Sequence, residues 1–436
     1  IDTVERMKRF LAELSRIILG LTFVVSGFLK AIDPQGGAIK ISEYFTVFAL
    51  PKSEGLSLIL SILLCCSEFI VGAFLLMGIY RRMAARFIFL FMAVMTPLTL
   101  YLAIFNPVAD CGCFGEAFLL TNWHTFFKNV VLFAAAAFLL KKPRRIQTLY
   151  SVNGRWLPAI LAVSGIIIFT IANQIYLPMV DFRPFKVGKS LRELTQVPAG
   201  APEDVYEYVF VYEKNGKRQE FDMDHLPDDS WTYVDRHEKL IKKGYTPPVT
   251  DFLLLRGGED VTSEIVNKKG ITLLLLSPDW ENASDDKMDN ISEMYDYAQE
   301  HAWDFYGVSA STSDDISTWR YNTGADYPML FLDAVTVKTI TRGNPSLVIL
   351  RDGVIRGKVS DANFPGVGQA QAFFDRYIGN ELYQPSYWGR LLVLALWVIL
   401  LLFGCIRKVV FCIGSLRKGV ETEQSETENN SKALKY

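Results

Sequence analysis

The chain has 436 residues, of which 50% are apolar in a broad count and 21% are charged, and its formal net charge is −2. This composition excludes a long disordered chain, the near-neutral charge argues against a nucleic acid as partner, and six cysteines are too few for a disulfide-stapled scaffold. The apolar residues are instead gathered in blocks about as long as a bilayer crossing.

Six apolar blocks are long enough to be transmembrane helices, which need about 20 mainly apolar residues. They cover approximately Leu11–Leu29, Leu56–Met77, Ala84–Phe105, Thr125–Leu140, Leu157–Tyr176 and Leu391–Ile406. The fourth and sixth blocks are short, but both are nearly free of charge and end in basic clusters. We therefore predict an α-helical membrane bundle with six transmembrane helices, the first of which is an uncleaved anchor and not a signal peptide.

Basic residues near the ends of the blocks predict the orientation of the chain. The clusters at residues 6–9, 81–86, 141–155 and 407–418 all fall on one side when six spans alternate. Because such clusters mark the cytoplasmic side, we predict a bacterial inner-membrane protein with both termini in the cytoplasm. The loops at residues 30–55 and 106–124 and the large segment at 177–389 then face the periplasm.

The large external segment divides into two parts. Residues 178–269 are predicted to be rich in β-strands, with a hairpin at Asp204–Phe221 that turns at Asn215-Gly216. The acidic and aromatic run that follows, residues 223–238, is typical of a solvated surface, and a partner-binding patch is the alternative. Residues 270–386 are predicted to follow the order βαβα, a connecting segment, and ββα.

This last order resembles a thioredoxin-like domain. Asn344-Pro345, at the start of the final hairpin, corresponds to the cis-proline site of that family. At the place of its Cys-x-x-Cys motif this chain has SPDWENAS, from Ser277 to Ser284, and no cysteine lies between Cys113 and Cys405. The resemblance therefore implies a domain that cannot perform dithiol chemistry by itself, and we predict a docking or structural role for it.

The sharpest local motif is DCGCFG at residues 110–115, in a predicted periplasmic loop. Cys111 and Cys113, with one residue between them, can close a small and strained disulfide that is easily reduced. Such a pair could accept or donate two electrons at the membrane surface. The alternatives are a purely structural disulfide and a metal site, for which His124 is the nearest third ligand.

Glu68 lies in the middle of the second apolar block, where a carboxylate is costly and usually faces the bundle interior. It is interpreted as a proton-linked or quinone-contacting group, with a buried structural carboxylate as the alternative. Cys65 and Cys66, just before it, are most simply small apolar residues. Cys405 and Cys412 lie at the cytoplasmic end, where thiols stay reduced. The candidate catalytic residues are thus Cys111, Cys113 and Glu68, and the only cofactor suggested is a quinone.

Three segments together resemble the DoxX/MauE group of four-span membrane proteins: residues 15–34, residues 67–78 and the DCGCFG loop. The matching positions are Arg16, Gly20, Phe23, Gly27 and Lys30 in the first helix, Glu68, Gly72 and Gly78 in the second, and Cys111 and Cys113 in the loop of the MauE branch. The resemblance implies an association with respiratory or thiol redox complexes and with disulfide-dependent maturation of periplasmic enzymes.

The resemblance covers about residues 1–145. It leaves out the predicted fifth helix at 146–177, the external domain, the predicted sixth helix at 387–408 and a polar tail at 409–436 that is expected to be partly disordered. The leading hypothesis is a redox-accessory protein that exchanges thiol and disulfide equivalents with a periplasmic or membrane protein. The alternatives are a non-enzymatic subunit or scaffold of an envelope complex and, less favoured, a small-solute transporter, so the sequence leaves open whether the protein is an enzyme.

Overall fold

The computed structural model describes residues 2–108, 110–118, 120–141, 148–379 and 381–383, together with isolated positions between 389 and 399. The chain forms two compact units, the first built on residues 1–182 and the second on Arg183–Tyr383. The predicted sixth span lies almost entirely outside the described residues, and Cys405, Cys412 and the polar tail lie wholly outside them.

The first unit is a helical bundle. Its helices are α1 (Asp2–Ile32), α2 (Pro34–Val47), α3 (Glu54–Met77), α4 (Arg81–Phe105), α5 (Asn122–Lys141) and α6 (Trp156–Ile175). Among the described residues, five helices, all but α2, are long and apolar enough to cross a membrane. They coincide with the first five predicted spans and confirm a helical membrane bundle. The connection predicted at residues 30–55 contains a further helix, α2, which begins with the Asp33 side chain accepting from the Gly36 N–H at 3.0 Å.

Glycines bring α1 and α3 into close contact. A Cβ atom on Gly27 would lie 2.5 Å from the backbone nitrogen of Phe69, and one on Gly72 would lie 2.7 Å from that of Val24. Small residues permit such backbone approaches between membrane helices. Helix α6 also belongs to this core, since the Phe169 ring stacks on Phe28 with centroids 5.1 Å apart.

The two ends of the bundle differ in character. At one end, α2 contacts the loop between α4 and α5, and the Gln174 amide near the end of α6 lies 3.3 Å from that of Gln35. At the other end, Arg155 lies over the Tyr80 ring, 4.7 Å from its centroid, and the α3–α4 turn is followed by Arg81 and Arg82. The cysteine loop and the end of α6 therefore share one end, opposite the arginine-rich end.

The second unit contains a three-stranded antiparallel sheet of order β2-β1-β3. Its strands are β1 (Val205–Lys214), β2 (Lys217–Phe221) and β3 (Thr232–Lys242). The predicted hairpin forms β1 and β2. All eleven residues of β3 are exposed, which is why its sequence was interpreted as solvated surface and the strand was missed.

The larger sheet has seven strands in the order β10-β9-β6-β7-β8-β4-β5. Its strands are β4 (Leu255–Arg256), β5 (Glu259–Asp260), β6 (Ile271–Ser277), β7 (Asp304–Ser309), β8 (Met329–Phe331), β9 (Ser346–Arg351) and β10 (Val354–Ser360). The helices of the second unit are α7 (Leu191–Thr195), α8 (Thr262–Val266), α9 (Met288–Glu300), α10 (Ser313–Thr323), α11 (Ala334–Ile340) and α12 (Ala370–Ile378). A short 3₁₀ helix covers Asp361–Asn363.

The core of this sheet is thioredoxin-like, as predicted. Strands β6 and β7 are parallel and joined through α9, while β9 lies antiparallel on the other side of β6 and continues into the hairpin with β10. Strand β6 is buried along nearly its whole length, because apolar clusters cover both faces of the sheet. The Asn344-Pro345 peptide bond before β9 is cis.

Candidate functional site

A buried ion pair lies inside the helical bundle. The Lys30 Nζ of α1 is 2.8 Å from each carboxylate oxygen of Glu68 on α3. Lys30 is 8% exposed and Glu68 only 2%. Charges at such depth are costly unless they are paired and hydrogen-bonded. The mid-span carboxylate that the sequence singles out therefore has a partner 38 positions away in the chain.

Ser26 joins this pair to the cysteine loop. Its Oγ lies 2.8 Å from Glu68 Oε2 and 2.6 Å from the carbonyl oxygen of Cys113, and it accepts a hydrogen bond from Lys30 Nζ at 3.1 Å. A hydroxyl has one proton, so Ser26 donates to one of its two acceptors at a time. A single side chain, that of Ser26, therefore links Glu68 to the Cys113 backbone.

The cysteine loop is a turn that needs its glycines. The Gly112 N–H donates to Asp110 Oδ1 at 2.8 Å, and the Gly115 N–H donates to the Gly112 carbonyl at 3.1 Å. Both glycines have positive φ, +66° and +59°, which other residues adopt only with strain. A Cβ on Gly112 would also lie 2.8 Å from Lys40 Cγ. The motif therefore folds the two cysteines into one tight turn.

Helix α2 holds this turn from the side. Lys40 Nζ lies 3.3 Å from Asp110 Oδ2 and 2.8 Å from Glu43 Oε2, and the Tyr44 hydroxyl donates to the Cys111 carbonyl at 3.0 Å. Burial and the nearby thiols raise the pKa of the Tyr44 phenol, so it stays a donor at neutral pH. The helix that the sequence did not predict is therefore part of the site.

The two thiols are free and lie in different surroundings. Cys111 is 7% exposed and packs with Leu102 and Val108, whereas Cys113 is half-buried. A hydrogen bond from the Cys113 thiol, with the charge of Lys128 adding to it, lowers the pKa of Cys111 to about 6. The same interaction, together with burial, raises the pKa of Cys113. The pair therefore holds one proton across the neutral range, which makes one sulfur nucleophilic.

A small cavity of about 30 Å³ lies beside Cys113 in the bundle. Its polar wall is formed by Thr22, Ser26, Lys30, Glu68, Lys128 and Asn129, and its apolar wall by Phe23, Phe91, Met92, Met95, Phe114 and Leu132. This space holds about two water molecules.

Lys128 is the second cation at this cavity. It lies on α5, is half-buried, and its Nζ is 4.3 Å from the centroid of the Phe114 ring. Among the described residues, no carboxylate lies within ion-pair distance of it. Lys128 was not predicted as a site residue from the sequence, although an ionisable residue inside an apolar block is a recognised signal of function. Ser26, which lies one helical turn before Lys30, was not predicted either.

The other candidate residues lie apart from this site. Cys65 Sγ donates to the Ile62 carbonyl at 3.2 Å, and Cys66 Sγ lies 3.8 Å from Thr170 Oγ1, so both face the helical core. His124 Nδ1 is 2.7 Å from Thr121 Oγ1 at the start of α5. No cluster of three His, Cys, Asp or Glu side chains able to hold a metal occurs in the described part of the chain.

In the thioredoxin-like domain, the segment that replaces the Cys-x-x-Cys motif is held in place by Asn344. Ser277 Oγ donates to Asn344 Oδ1 at 2.7 Å, and Asn344 Nδ2 donates to the carbonyls of Asp279 and Asn282 at 3.3 and 3.2 Å. Trp280 is buried against Trp319, with ring centroids 4.7 Å apart. Hydrogen bonds and aromatic packing therefore fix this segment at the position where a redox-active thioredoxin-like protein would present its two thiols.

Comparisons with known proteins agree with the two-part architecture. Residues 8–142 match the family model of methylamine utilisation protein MauE, and residues 206–243 match a domain of unknown function (DUF8463). The first match confirms that helices α1 to α5 form a MauE-like membrane domain. The comparison with curated proteins returned no match.

Among solved structures, the chain is similar to three peroxiredoxins. The 2-Cys peroxiredoxin of Plasmodium vivax has 13% identity and a TM-score of 0.22, with 44% of this chain and 82% of that chain covered. The mitochondrial 2-Cys peroxiredoxin of Plasmodium falciparum has 12% identity and a TM-score of 0.21, with 41% and 93% covered. Mycobacterium bovis AhpC has 11% identity and a TM-score of 0.21, with 44% and 99% covered. The thioredoxin-like assignment itself follows from the strand order.

Proposed function

We propose that this protein is a redox-accessory protein of the bacterial inner membrane that exchanges thiol and disulfide equivalents with a periplasmic protein through Cys111 and Cys113. The observation that carries the proposal is the construction of the cysteine loop. Two free thiols share one tight turn, which is fixed by α2 on one side and by the Lys30–Glu68 pair, through Ser26, on the other.

The exchange needs no bound cofactor. The thiolate of the pair attacks one sulfur of a partner disulfide, the partner's S–S bond breaks, and a mixed disulfide forms. The second thiol then loses its proton and attacks the mixed disulfide. This releases the partner as a dithiol and leaves a Cys111–Cys113 disulfide, so two electrons have passed to the partner. The reverse sequence oxidises a partner dithiol.

In this proposal Glu68 positions Lys30 and Ser26 and carries a buried negative charge. It touches neither sulfur directly, but it accepts from Lys30 and contacts Ser26, whose hydroxyl also reaches the Cys113 carbonyl. Its role in proton handling is to keep the polar wall of the cavity charged beside the thiols. A change at Glu68 is therefore expected to affect the rate of exchange and not to abolish it.

The sidedness of the bundle supports a periplasmic location for the loop. The cysteine loop, α2 and the end of α6 share one end of the bundle, whereas Arg81, Arg82 and Arg155 lie at the other. Arginine and lysine favour the cytoplasmic side. With that orientation, the chain leaves α6 toward the periplasm, where disulfides persist.

The second unit is proposed to dock the partner. Its thioredoxin-like site lacks cysteine and is closed by Asn344. Its three-stranded sheet exposes large side chains, among them Tyr206, Tyr233 and Ile241. Exposed aromatic residues are enriched in protein interfaces.

Trapping of the mixed disulfide tests the proposal. The variants Cys111→Ser and Cys113→Ser are expressed as the full chain in cells. Each keeps one thiol of the pair, which can form a mixed disulfide, and lacks the second thiol that would resolve it. At least one of them should yield a reductant-sensitive adduct of defined mass on non-reducing gels, and the double variant should yield none. If both single variants complement a deletion fully and trap nothing, the exchange does not occur.

A second candidate is a non-enzymatic subunit of an envelope complex. The closed, cysteine-free segment Ser277–Ser284 favours it, because this domain has lost the one feature that thiol chemistry requires. Purification in mild detergent distinguishes the two. A stoichiometric complex that is unchanged by the double Cys→Ser variant supports the scaffold, whereas a complex that depends on the cysteines supports exchange.

A further inference from the structure

Lys128 lies in an apolar helix, and the part of the chain that the structure describes places no carboxylate within ion-pair distance of it. The apolar window of α5 contains it, and its side chain is half-buried and lines the same cavity as Cys113 and Ser26. An ammonium group inside a membrane span is costly and normally faces a partner or a functional group. The position of Lys128 therefore predicts a negative charge nearby.

The other two cations near the cavity each lie in an ion pair when both thiols are protonated. From α1, Lys30 is paired with Glu68 of α3. From α2, Lys40 is paired with Glu43 and with Asp110 of the loop, and Tyr44 is a neutral phenol. Helix α4 contributes only Phe91, Met92 and Met95 to the wall. These groups and Lys128 together carry three positive and three negative charges, but among the described residues Lys128 is the cation of the three that has no carboxylate in ion-pair contact.

Phe114 fixes the position of this cation. The ring follows Cys113 directly in the chain, and the Lys128 Nζ lies 4.3 Å from its centroid. A cation over an aromatic face is attracted by the negative charge of the ring face, and more strongly where water is excluded. The aromatic residue of the DCGCFG motif thus holds the ammonium group at the cavity that Cys113 also lines.

We propose that Lys128 is the counter-cation of the thiolate in the reduced Cys111–Cys113 pair, and that Phe114 holds it in place. The inference rests on the proposed function, because it assigns a positioning residue to that exchange. Deprotonation of one thiol places a negative charge at the cavity that Lys128 and Cys113 both line, so the cation and the thiolate stabilise each other. Loss of the cation would make the thiolate rarer at neutral pH and the reduced pair a poorer nucleophile.

The pH profile of alkylation tests this role directly. The reduced full chain in detergent micelles is treated with iodoacetamide between pH 5 and pH 10, and the rate is followed by mass spectrometry of the cysteine peptide. Lys128→Met should shift the midpoint of the profile upward by about one unit, which means about tenfold less thiolate below the midpoint. Lys128→Arg should keep the midpoint near that of the unchanged protein.

The matched control is Lys141→Met, at the far end of the same helix and about 20 Å away by the helical rise. It removes the same charge and should leave the midpoint unchanged. A Lys128→Met midpoint equal to that of the unchanged protein, or a shift of the same size in Lys141→Met, overturns the proposal. A purely structural role would lower the thermal midpoint of unfolding without moving the alkylation profile.

Phe114→Leu provides a second variant should Lys128→Met not fold. It keeps an apolar side chain but removes the ring, and it should raise the alkylation midpoint in the same direction by a smaller amount. An unchanged midpoint in this variant contradicts the proposal. The trapping experiment distinguishes the failure of this role from the failure of the exchange. If a partner is trapped but the alkylation midpoint of Lys128→Met does not move, only the role of Lys128 is rejected. If the midpoint moves but no partner is trapped, the exchange is rejected.

Discussion

The hydroxyl oxygen of Ser26 lies 2.6 Å from the carbonyl oxygen of Cys113, although the two residues are 87 positions apart in the chain. The same hydroxyl lies 2.8 Å from the Glu68 carboxylate. A charge buried in the bundle and the cysteine motif at its end are therefore parts of one hydrogen-bonded group. This link is the physical basis for treating Glu68 and the cysteines as one site.

The first prediction concerns the Lys30–Glu68 pair. Removal of one partner leaves an uncompensated buried charge, so Glu68→Leu or Lys30→Met alone should lower the free energy of unfolding by about 3–5 kcal/mol. The combined variant should lose much less than the sum of the two, because both charges are gone. Unfolding in mixed detergent micelles measures this coupling, and strictly additive losses would show that the pair does not act as a unit.

The second prediction concerns the turn at Gly112. Its φ of +66° and the 2.8 Å approach of a Cβ to Lys40 Cγ make Gly112→Ala unfavourable by about 1–3 kcal/mol. The variant should distort the loop and slow formation of the Cys111–Cys113 disulfide. Gly55→Ala is the control, since a Cβ there meets nothing within 4 Å. Equal disulfide formation in both variants would contradict this account of the loop.

The third prediction concerns Tyr44. Tyr44→Phe removes the hydrogen bond to the Cys111 carbonyl, worth about 1 kcal/mol, and leaves the ring in place. Amide hydrogen exchange in residues 110–115 should become faster while exchange within α3 stays unchanged. Tyr101→Phe, on the exposed side of α4, should alter neither. Unchanged exchange in the Tyr44 variant would mean that α2 does not hold the loop.

The fourth prediction is a pH dependence of the reduced protein. The pKa of Cys111 is lowered from its ordinary value of 9.0 to about 6, so its contribution to stability is present above pH 9 and is lost as the pH falls through 6. The pKa of Cys113 is raised, so its contribution is present below pH 9 and is lost as the pH rises further. Stability should therefore increase from pH 6 to pH 9 and then decrease.

Thermal unfolding under reducing conditions, compared with Cys111→Ser, measures this profile. The difference between the two proteins should follow the rise between pH 6 and pH 9, because the serine hydroxyl does not ionise in that range. A difference that is flat over these pH values would show that the two thiols do not share a proton.

The sequence predicts well those features that the membrane itself imposes. Five apolar blocks become five helices, because the backbone must form its own hydrogen bonds in the bilayer. Their ends are less predictable: α1 begins at Asp2, well before the apolar block at Leu11, since charged residues can extend a helix into water. Helix α2 was missed because Gly36 and Gly37 lie in its first turns.

The site is predictable only in part. The cysteine motif and Glu68 stand out locally, but the partner of Glu68 lies 38 positions away, and pattern analysis does not pair distant residues. Lys128 was not singled out because the rest of the fourth apolar block, Thr125–Leu140, is uncharged. In the second unit, β3 was not predicted because its centre, Asp235–Lys239, is a run of charged residues and His237 without apolar alternation, and none of its residues is buried.

The most direct test of the central claim is the redox state of Cys111 and Cys113 in intact cells. A membrane-impermeant thiol reagent is added before and after a brief pulse of reductant, and the labelled cysteine peptide is quantified by mass spectrometry. The account predicts that both oxidised and reduced pairs are present, that they are labelled from outside, and that the ratio returns to its starting value after the pulse. A pair that stays in one form throughout, or that is protected from the impermeant reagent even when reduced, would contradict it.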